Sequence, residues 1–288
     1  MLQSGSAEPF AEAEMIPLRD DNPTRRFPIV VVLLIAANIG IFLYSWLLQR
    51  TDVALVPVSY QGEAHAYPVS VTYLSFICTY GAVPRVLLAQ AAVGDSVLYS
   101  VRHMLPPGVE LLGPLEIRPW PLGPVWLSIF TSMFLHGGLL HIASNMLYLW
   151  IFGNNVEDVL GHVRFVIFYL LCGAVAAATQ IVMSLHSLTP MVGASGAIAG
   201  VLGAYYVKFP HARVRCLVFL FFFVTIVMLP ASLVLLLWFL LQVWESLKPA
   251  AAGGGGVAVF AHIGGFLAGW ALIRRFEPRR KRPVLVDW

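Results

Sequence analysis

The stretch PMVGASGAIAG, Pro190–Gly200, sets a single serine, Ser195, among small residues where a long apolar run begins. Small residues at such spacing let membrane helices touch backbone to backbone. A serine there is either a packing residue or a nucleophile placed where water is scarce. The residues around it and elsewhere in the chain decide which reading is better.

The chain has 288 residues, of which 59% are hydrophobic and 11% charged, whereas soluble domains carry about a quarter charged residues. The sequence is that of an integral membrane protein. Six apolar segments stand out: Pro28–Leu48, one within Leu122–Phe152, Val163–Leu185, Gly193–Val207, Cys216–Trp244 with Pro230 inside it, and Val257–Ile273. Each is read as a membrane-spanning helix. The expected fold is therefore all-α, a polytopic bundle of six transmembrane helices. Tyr67–Tyr80, broken by Gly81, Pro84 and Arg85, is too short to span and is expected at the interface.

The parts read as a polar tail over residues 1–27, a membrane domain over 28–275 and a basic tail over 276–288. Pro28–Leu48 reads as an uncleaved signal anchor, because it is too long for the apolar core of a signal peptide. A long first loop, Gln49–Pro121, is rich in proline and glycine, and loops of that length usually have a job or are partly disordered. Most of the 18 basic residues fall on one side if both termini are cytoplasmic; Arg50, Arg85, Arg102, Arg118 and Lys248 fall on the other. The net charge of +3 follows from that asymmetry and points to no nucleic-acid partner. Three cysteines, Cys78, Cys172 and Cys216, form no CxxC pair and no disulfide framework.

Polar groups in lipid are costly and need a reason. His141 and Asn145 in HIASN lie four apart and share a helix face; His136, five before His141, is expected to point elsewhere. His262 lies in AHIGG. At about 1.5 Å per residue, Ser195, His262 and His141 come out roughly 20, 18 and 20 Å from the inner edge marked by Lys208, Arg274 and Asn154, with Asn145 near about 14 Å. Three segments thus bring polar groups to one level. The fourth segment is short, which puts Ser195 in a helix's first turn, where free amides can meet an anion. Gly196, Gly200 and Gly203 on one segment face Ala261, Gly265 and Gly269 on another, and this allows Ser195 and His262 to approach. HGGLLH is not the H-E-x-x-H zinc motif and no carboxylate or thiolate set accompanies it, so neither metal nor other cofactor is expected. GASGA is not the G-x-S-x-G elbow either.

These residues resemble the rhomboid family of intramembrane serine proteases, in its six-span prokaryotic form. The likeness lies in MIPLRDDNPTRR (Met15–Arg26), TSMFLHGGLLHIASNMLYLWIFGNNVEDVLG (Thr131–Gly161), GASGAIAGVLGAY (Gly193–Tyr205) and AHIGGFLAG (Ala261–Gly269). It implies Ser195 as nucleophile and His262 as general base, a dyad without a carboxylate. It implies His141, Asn145 and the Ser195 amide as the oxyanion hole, with His136, Gly193, Gly196 and Gly265 in supporting places, and NNVEDVLG with Glu157 as a structural loop. The expected substrates are transmembrane proteins cut within the bilayer near small or helix-breaking residues. The expected place is a bacterial inner membrane, with the site opening to the extracytoplasmic side.

The sequence departs from the family in two places. A Trp-Arg pair of the first loop is missing, its nearest counterparts being Arg118-Pro119-Trp120 and Trp126-Leu127. An aromatic residue one turn after the serine is replaced by Ala199. The fifth segment, with VFLFFF and Pro230, is the expected substrate gate, and KPAAAGGGG (Lys248–Gly256) either a mobile cap or a mere connector. Two other functions compete. A non-proteolytic relative that binds transmembrane clients predicts loss of Ser195 or His262, and both are present. A transporter predicts internal repeats and acidic residues in the spans, and the sequence has neither.

Overall fold

The computed structural model describes residues 15–121, 123–220, 223–248 and 258–278. A strand, β1 (Met15–Asp20), precedes a long apolar helix, α1 (Ile29–Thr51). A folded insertion follows: β2 (Ala54–Tyr60), β3 (Glu63–Val69), α2 (Val71–Tyr80), α3 (Pro84–Leu87), α4 (Val93–Met104) and β4 (Val109–Leu111). Short turns at Val125–Leu127 and Ser132–Phe134 flank α5 (Ser128–Thr131). Then come α6 (Leu139–Tyr148), a wide turn at Leu149–Gly153, α7 (Asn154–Leu160), α8 (His162–Met183) and α9 (Ser195–Lys208). The last described elements are β5 (Arg213–Leu220), β6 (Phe223–Pro230), α10 (Ala231–Ser246) and α11 (Val259–Phe276).

The molecule is mostly helical, but two three-stranded sheets, β1-β5-β6 and β3-β2-β4, correct the all-α expectation. The fifth expected span is where they matter most. Cys216–Trp244 is not one helix: its first half forms the β5–β6 hairpin, paired from Arg213↔Pro230 to Leu220↔Phe223. Val224, Thr225, Ile226 and Val227 form a β-branched run that favours a strand. Pro230 closes β6 and stands just before α10, where a missing N–H costs nothing. β1 adds to the other edge of β5, from Met15↔Val218 to Asp20↔Val214. Part of the expected N-terminal tail is therefore a strand. The glycine-rich segment after Lys248 and the basic tail after Pro278 lie outside the described residues.

Among the described residues, α1 and α8 are long and apolar enough to cross a membrane. The pair Val125–Phe134 and Leu139–Leu160, bent by 83°, makes a third span if its arms count as one. The chain is an integral membrane protein. The expected count of six is not reached by that measure, because α9 and α10 have only 14 and 16 residues, and α11, with 18, carries Arg274 and Arg275 in its last turn.

The core is built around α9, which is buried without interruption from Gly196 to Tyr205. Its glycines are the reason it can be so enclosed. A Cβ on Gly203 would strike the Phe266 carbonyl, and Cβ atoms on Gly265 and Gly269 would strike the carbonyls of Gly196 and Gly200. Helices α9 and α11 therefore meet backbone to backbone, and α8 closes the other side with Cys172 and Ala176.

Acidic side chains tie the chain's first described residues to α7. Glu157, buried, accepts from the backbone N–H groups of Val30 (2.9 Å) and Val31 (2.8 Å), which caps the start of α1. Asp158 accepts from the N–H groups of Arg25 and Arg26, both at 3.1 Å. Asp20 accepts from the Tyr205 hydroxyl at 2.6 Å and from Asn155 Nδ2 at 2.8 Å.

The long first loop is a small subdomain with its own core, including Val56, Val69, Leu74, Cys78, Val97 and Val101. Its β2–β3 hairpin turns at Gln61-Gly62, both with positive φ, as a two-residue hairpin turn requires. It also grips the chain leading to the serine. Ser96 Oγ donates to the Leu188 carbonyl at 2.6 Å, and Ala82 and Met191 exchange both backbone bonds.

Candidate active site

Ser195 is the first residue of α9, so its amide and the next two lack intrahelical acceptors and point into the space before the helix. The approach to it is set by Gly193. Its φ of +124° is one that L side chains rarely adopt, and a Cβ there would lie 2.8 Å from His141 Nε2. The Gly193 N–H donates to the Ser132 carbonyl at 2.9 Å, which ties the segment to the turn after α5.

His262, on the first turn of α11, is buried at 8% exposure. Its Nε2 lies 2.8 Å from Ser195 Oγ. The residues are 67 apart in sequence, and the glycine contact of α9 with α11 makes the meeting possible. Gly196 and Gly265 are part of that contact. A Cβ on Gly196 would fall 2.7 Å from the Ala176 Cβ, and one on Gly265 would meet the Gly196 carbonyl.

On the serine's other side, the His141 ring abuts Gly193. His141 Nδ1 accepts the Gly137 N–H at 3.4 Å, so Nε2 is left to carry the proton and face the serine's side of the site. Asn145 Nδ2 donates to the His141 carbonyl at 2.7 Å, one turn back. An amide nitrogen has two hydrogens, so one remains for another acceptor. His136 is not directed away from this group. Its ring lies 5.1 Å from that of His141, edge to face. Helical periodicity misplaced it because the chain between Phe134 and Leu139 is not helical, and the 83° bend folds His136 back.

A cavity of about 40 Å³ opens beside Ser195, lined by Gly173, Ala176, Gly196 and Ala261 among others. It has room for a small side chain. Both departures from the family pattern have structural counterparts. Trp120 packs on Phe76 at 5.5 Å and donates its ring N–H to the Thr72 carbonyl at 3.4 Å, while Ser75 Oγ donates to the Arg118 carbonyl at 2.6 Å. The loop is thus anchored through α2. Ala199 is fully buried where α9 meets α11, its methyl 3.3 Å from where a Gly265 Cβ would stand. An aromatic ring has no room there. Two residues that sequence reasoning missed flank His262 instead, Trp238 and Gln242 on α10. A lone glutamine inside the apolar run LVLLLWFLLQVW was the available signal, since a polar residue in a membrane segment asks for a partner.

A family model, the Rhomboid domain, matches residues 124–277, more than half of the chain, a range that holds Ser195, His262, His141, Asn145, His136, Trp238 and Gln242. The chain is 31% identical to "Rhomboid protein 1, mitochondrial" of Saccharomyces cerevisiae over 54% of its own length and 44% of the yeast protein's. It is 42% identical to "Rhomboid protease GluP" of Bacillus subtilis over 27% of its length and 15% of that protein's. It is 29% identical to "RHOMBOID-like protein 6, mitochondrial" of Arabidopsis thaliana over 57% and 48%. The match spans less than half the length of each of these curated relatives. With the glycine-packed α9 and α11 inside the matched region, the chain belongs to the rhomboid family.

Proposed function

We propose that this chain is an intramembrane serine protease that cuts transmembrane proteins with Ser195 and His262. The observation that carries the reading is the 2.8 Å contact between Ser195 Oγ and His262 Nε2, inside a membrane protein and next to unpaired helix amides. Nε2 takes the hydroxyl proton as Oγ attacks the peptide carbonyl carbon. The resulting oxyanion is met by the Ser195 amide, His141 Nε2–H and the second Asn145 hydrogen. The intermediate collapses, His262 returns the proton to the leaving amine, and an acyl-serine remains. Water then attacks it by the same route, freeing the acid and the serine. His262 acts as a base only while neutral, so cleavage falls once acid protonates it.

The small cavity beside Ser195 supports a preference for small side chains at the cut. In this reading six segments cross the bilayer: α1, the bent pair through α6 and α7, α8, α9, α10 and α11. The membrane domain runs over residues 28–275, both termini lie on one side and the dyad opens to the other. The relatives come from mitochondria as well as from a bacterium, so they do not select the bacterial inner membrane that the sequence led us to expect. The test is reconstitution of the full chain in liposomes with a single-span substrate. Ser195→Ala and His262→Ala are each expected to lower cleavage by about a thousand-fold or more. Cleavage that survives Ser195→Ala contradicts the reading.

A further inference from the structure

His262 is held on two sides. Its Nε2 faces Ser195, and its Nδ1 lies 2.7 Å from Gln242 Oε1 on α10. One turn earlier on the same face, the Trp238 ring stands 5.7 Å from the imidazole at 39°. A neutral imidazole carries one proton, and its position decides whether the ring can act as a base toward Ser195. The amide oxygen of Gln242 is an acceptor only, so it is satisfied by the tautomer with Nδ1–H. That tautomer leaves the Nε2 lone pair aimed at the serine hydroxyl.

We propose that Gln242 is the positioning residue of the dyad, selecting the Nδ1–H tautomer of His262 and, with Trp238, fixing its ring. This rests on the protease reading above. In a serine triad a carboxylate holds the histidine in this way. A carboxylate within a membrane segment would carry a heavy desolvation cost, and a neutral amide gives the orientation without the charge. The charged and titratable groups around His262 fit a neutral partner. His141 on α6 is its titratable neighbour. Glu245, one turn beyond Gln242, is ion-paired with Lys248. Gln180 on α8, which accepts the Ala261 N–H at 3.2 Å, is uncharged. The proposal also accounts for Ala199: α9 is too close to α11 to carry an aromatic support, so α10 supplies it. Helix α10 is then part of the catalytic site as well as its wall.

The experiment uses the reconstituted full chain with Gln242→Leu, Gln242→Glu and Ser195→Ala. Gln242→Leu is expected to lower kcat about 10- to 100-fold, by analogy with lost outer-shell partners, with KM within about twofold. Gln242→Glu keeps the acceptor and adds a charge that favours imidazolium, so it retains most of kcat while the acid limb of the pH profile moves up by about one unit. Nitrogen-15 NMR of histidine-labelled protein, assigned with His262→Gln, is expected to show His262 protonated at Nδ1 in the wild type and losing that preference in Gln242→Leu. Unchanged kcat and pH profile in Gln242→Leu overturn the proposal. So does a wild-type His262 protonated at Nε2, which decides the matter even if Gln242→Leu does not fold. Cleavage that persists in Ser195→Ala overturns the protease reading instead, and the NMR result still tests the tautomer.

Discussion

Gly269 sits directly on the main-chain carbonyl of Gly200, with no space for a methyl group between them. A backbone carbonyl in a buried helix cannot give way as a flexible side chain can. Gly269→Ala is expected to cost about 3 kcal/mol by overpacking and to separate His262 from Ser195. Gly40→Ala on α1, where a Cβ meets nothing within 4 Å, is expected to be neutral or stabilising by up to about 1 kcal/mol. Thermal unfolding in detergent, read beside cleavage, checks both. Equal effects would refute the packing argument.

Gly193 separates a stability effect from a chemical one. Alanine there meets a φ of +124° and His141 Nε2 at 2.8 Å. The expected result is a modest fall in melting temperature from backbone strain and a fall in kcat of about 100-fold, as for a lost oxyanion donor. A loss confined to KM would mean that His141 serves binding and not the oxyanion.

Glu157 caps α1 from 126 residues away, through the Val31 N–H. Glu157→Ala leaves two backbone donors without their acceptor and is expected to destabilise the fold by about 2–4 kcal/mol. Asp158→Ala, whose bonds are exposed, is expected to cost less. Denaturation midpoints compare the two, and the reverse order would remove Glu157 as the principal cap.

Asp20 makes stability depend on pH. Burial holds its carboxyl above the usual range, against the lowering effect of the Tyr205 hydrogen bond. The folded chain therefore binds this proton more tightly than the unfolded one. The resulting contribution is complete below the unfolded value of about 3.9 and is lost as pH rises through the folded value. Asp20→Asn mimics the protonated form, so its melting temperature relative to wild type should be most favourable near neutral pH and fall toward parity on acidification. A difference independent of pH would contradict this.

Much of the site was legible because lipid makes polar residues conspicuous. Ser195, His262, His141 and Asn145 stood out in apolar runs, and the glycine spacing of GASGAIAGVLG and AHIGGFLAG told which helices meet. The hairpin was not legible, since CLVFLFFFVTIVML is apolar but for Thr225 and hydropathy does not tell a buried strand from a helix. Only its β-branched run and Pro230 hinted otherwise. The sheet of the first loop had a clearer signal in the alternation around Gln61-Gly62, which a reading of proline and glycine content alone passes over. Gln242 escaped because no motif contains it. Its partner is 20 residues on, and only the packing of α10 against α11 brings the two together.

The most direct measurement is the reaction of the purified chain with a fluorophosphonate, followed by mass spectrometry of the adduct. The dyad predicts a single adduct on Ser195, with its rate of formation falling about a hundred-fold or more in His262→Ala, because the hydroxyl loses its base. An adduct that forms as fast without His262, or cleavage of a transmembrane substrate by protein in which Ser195 is fully blocked, would contradict it.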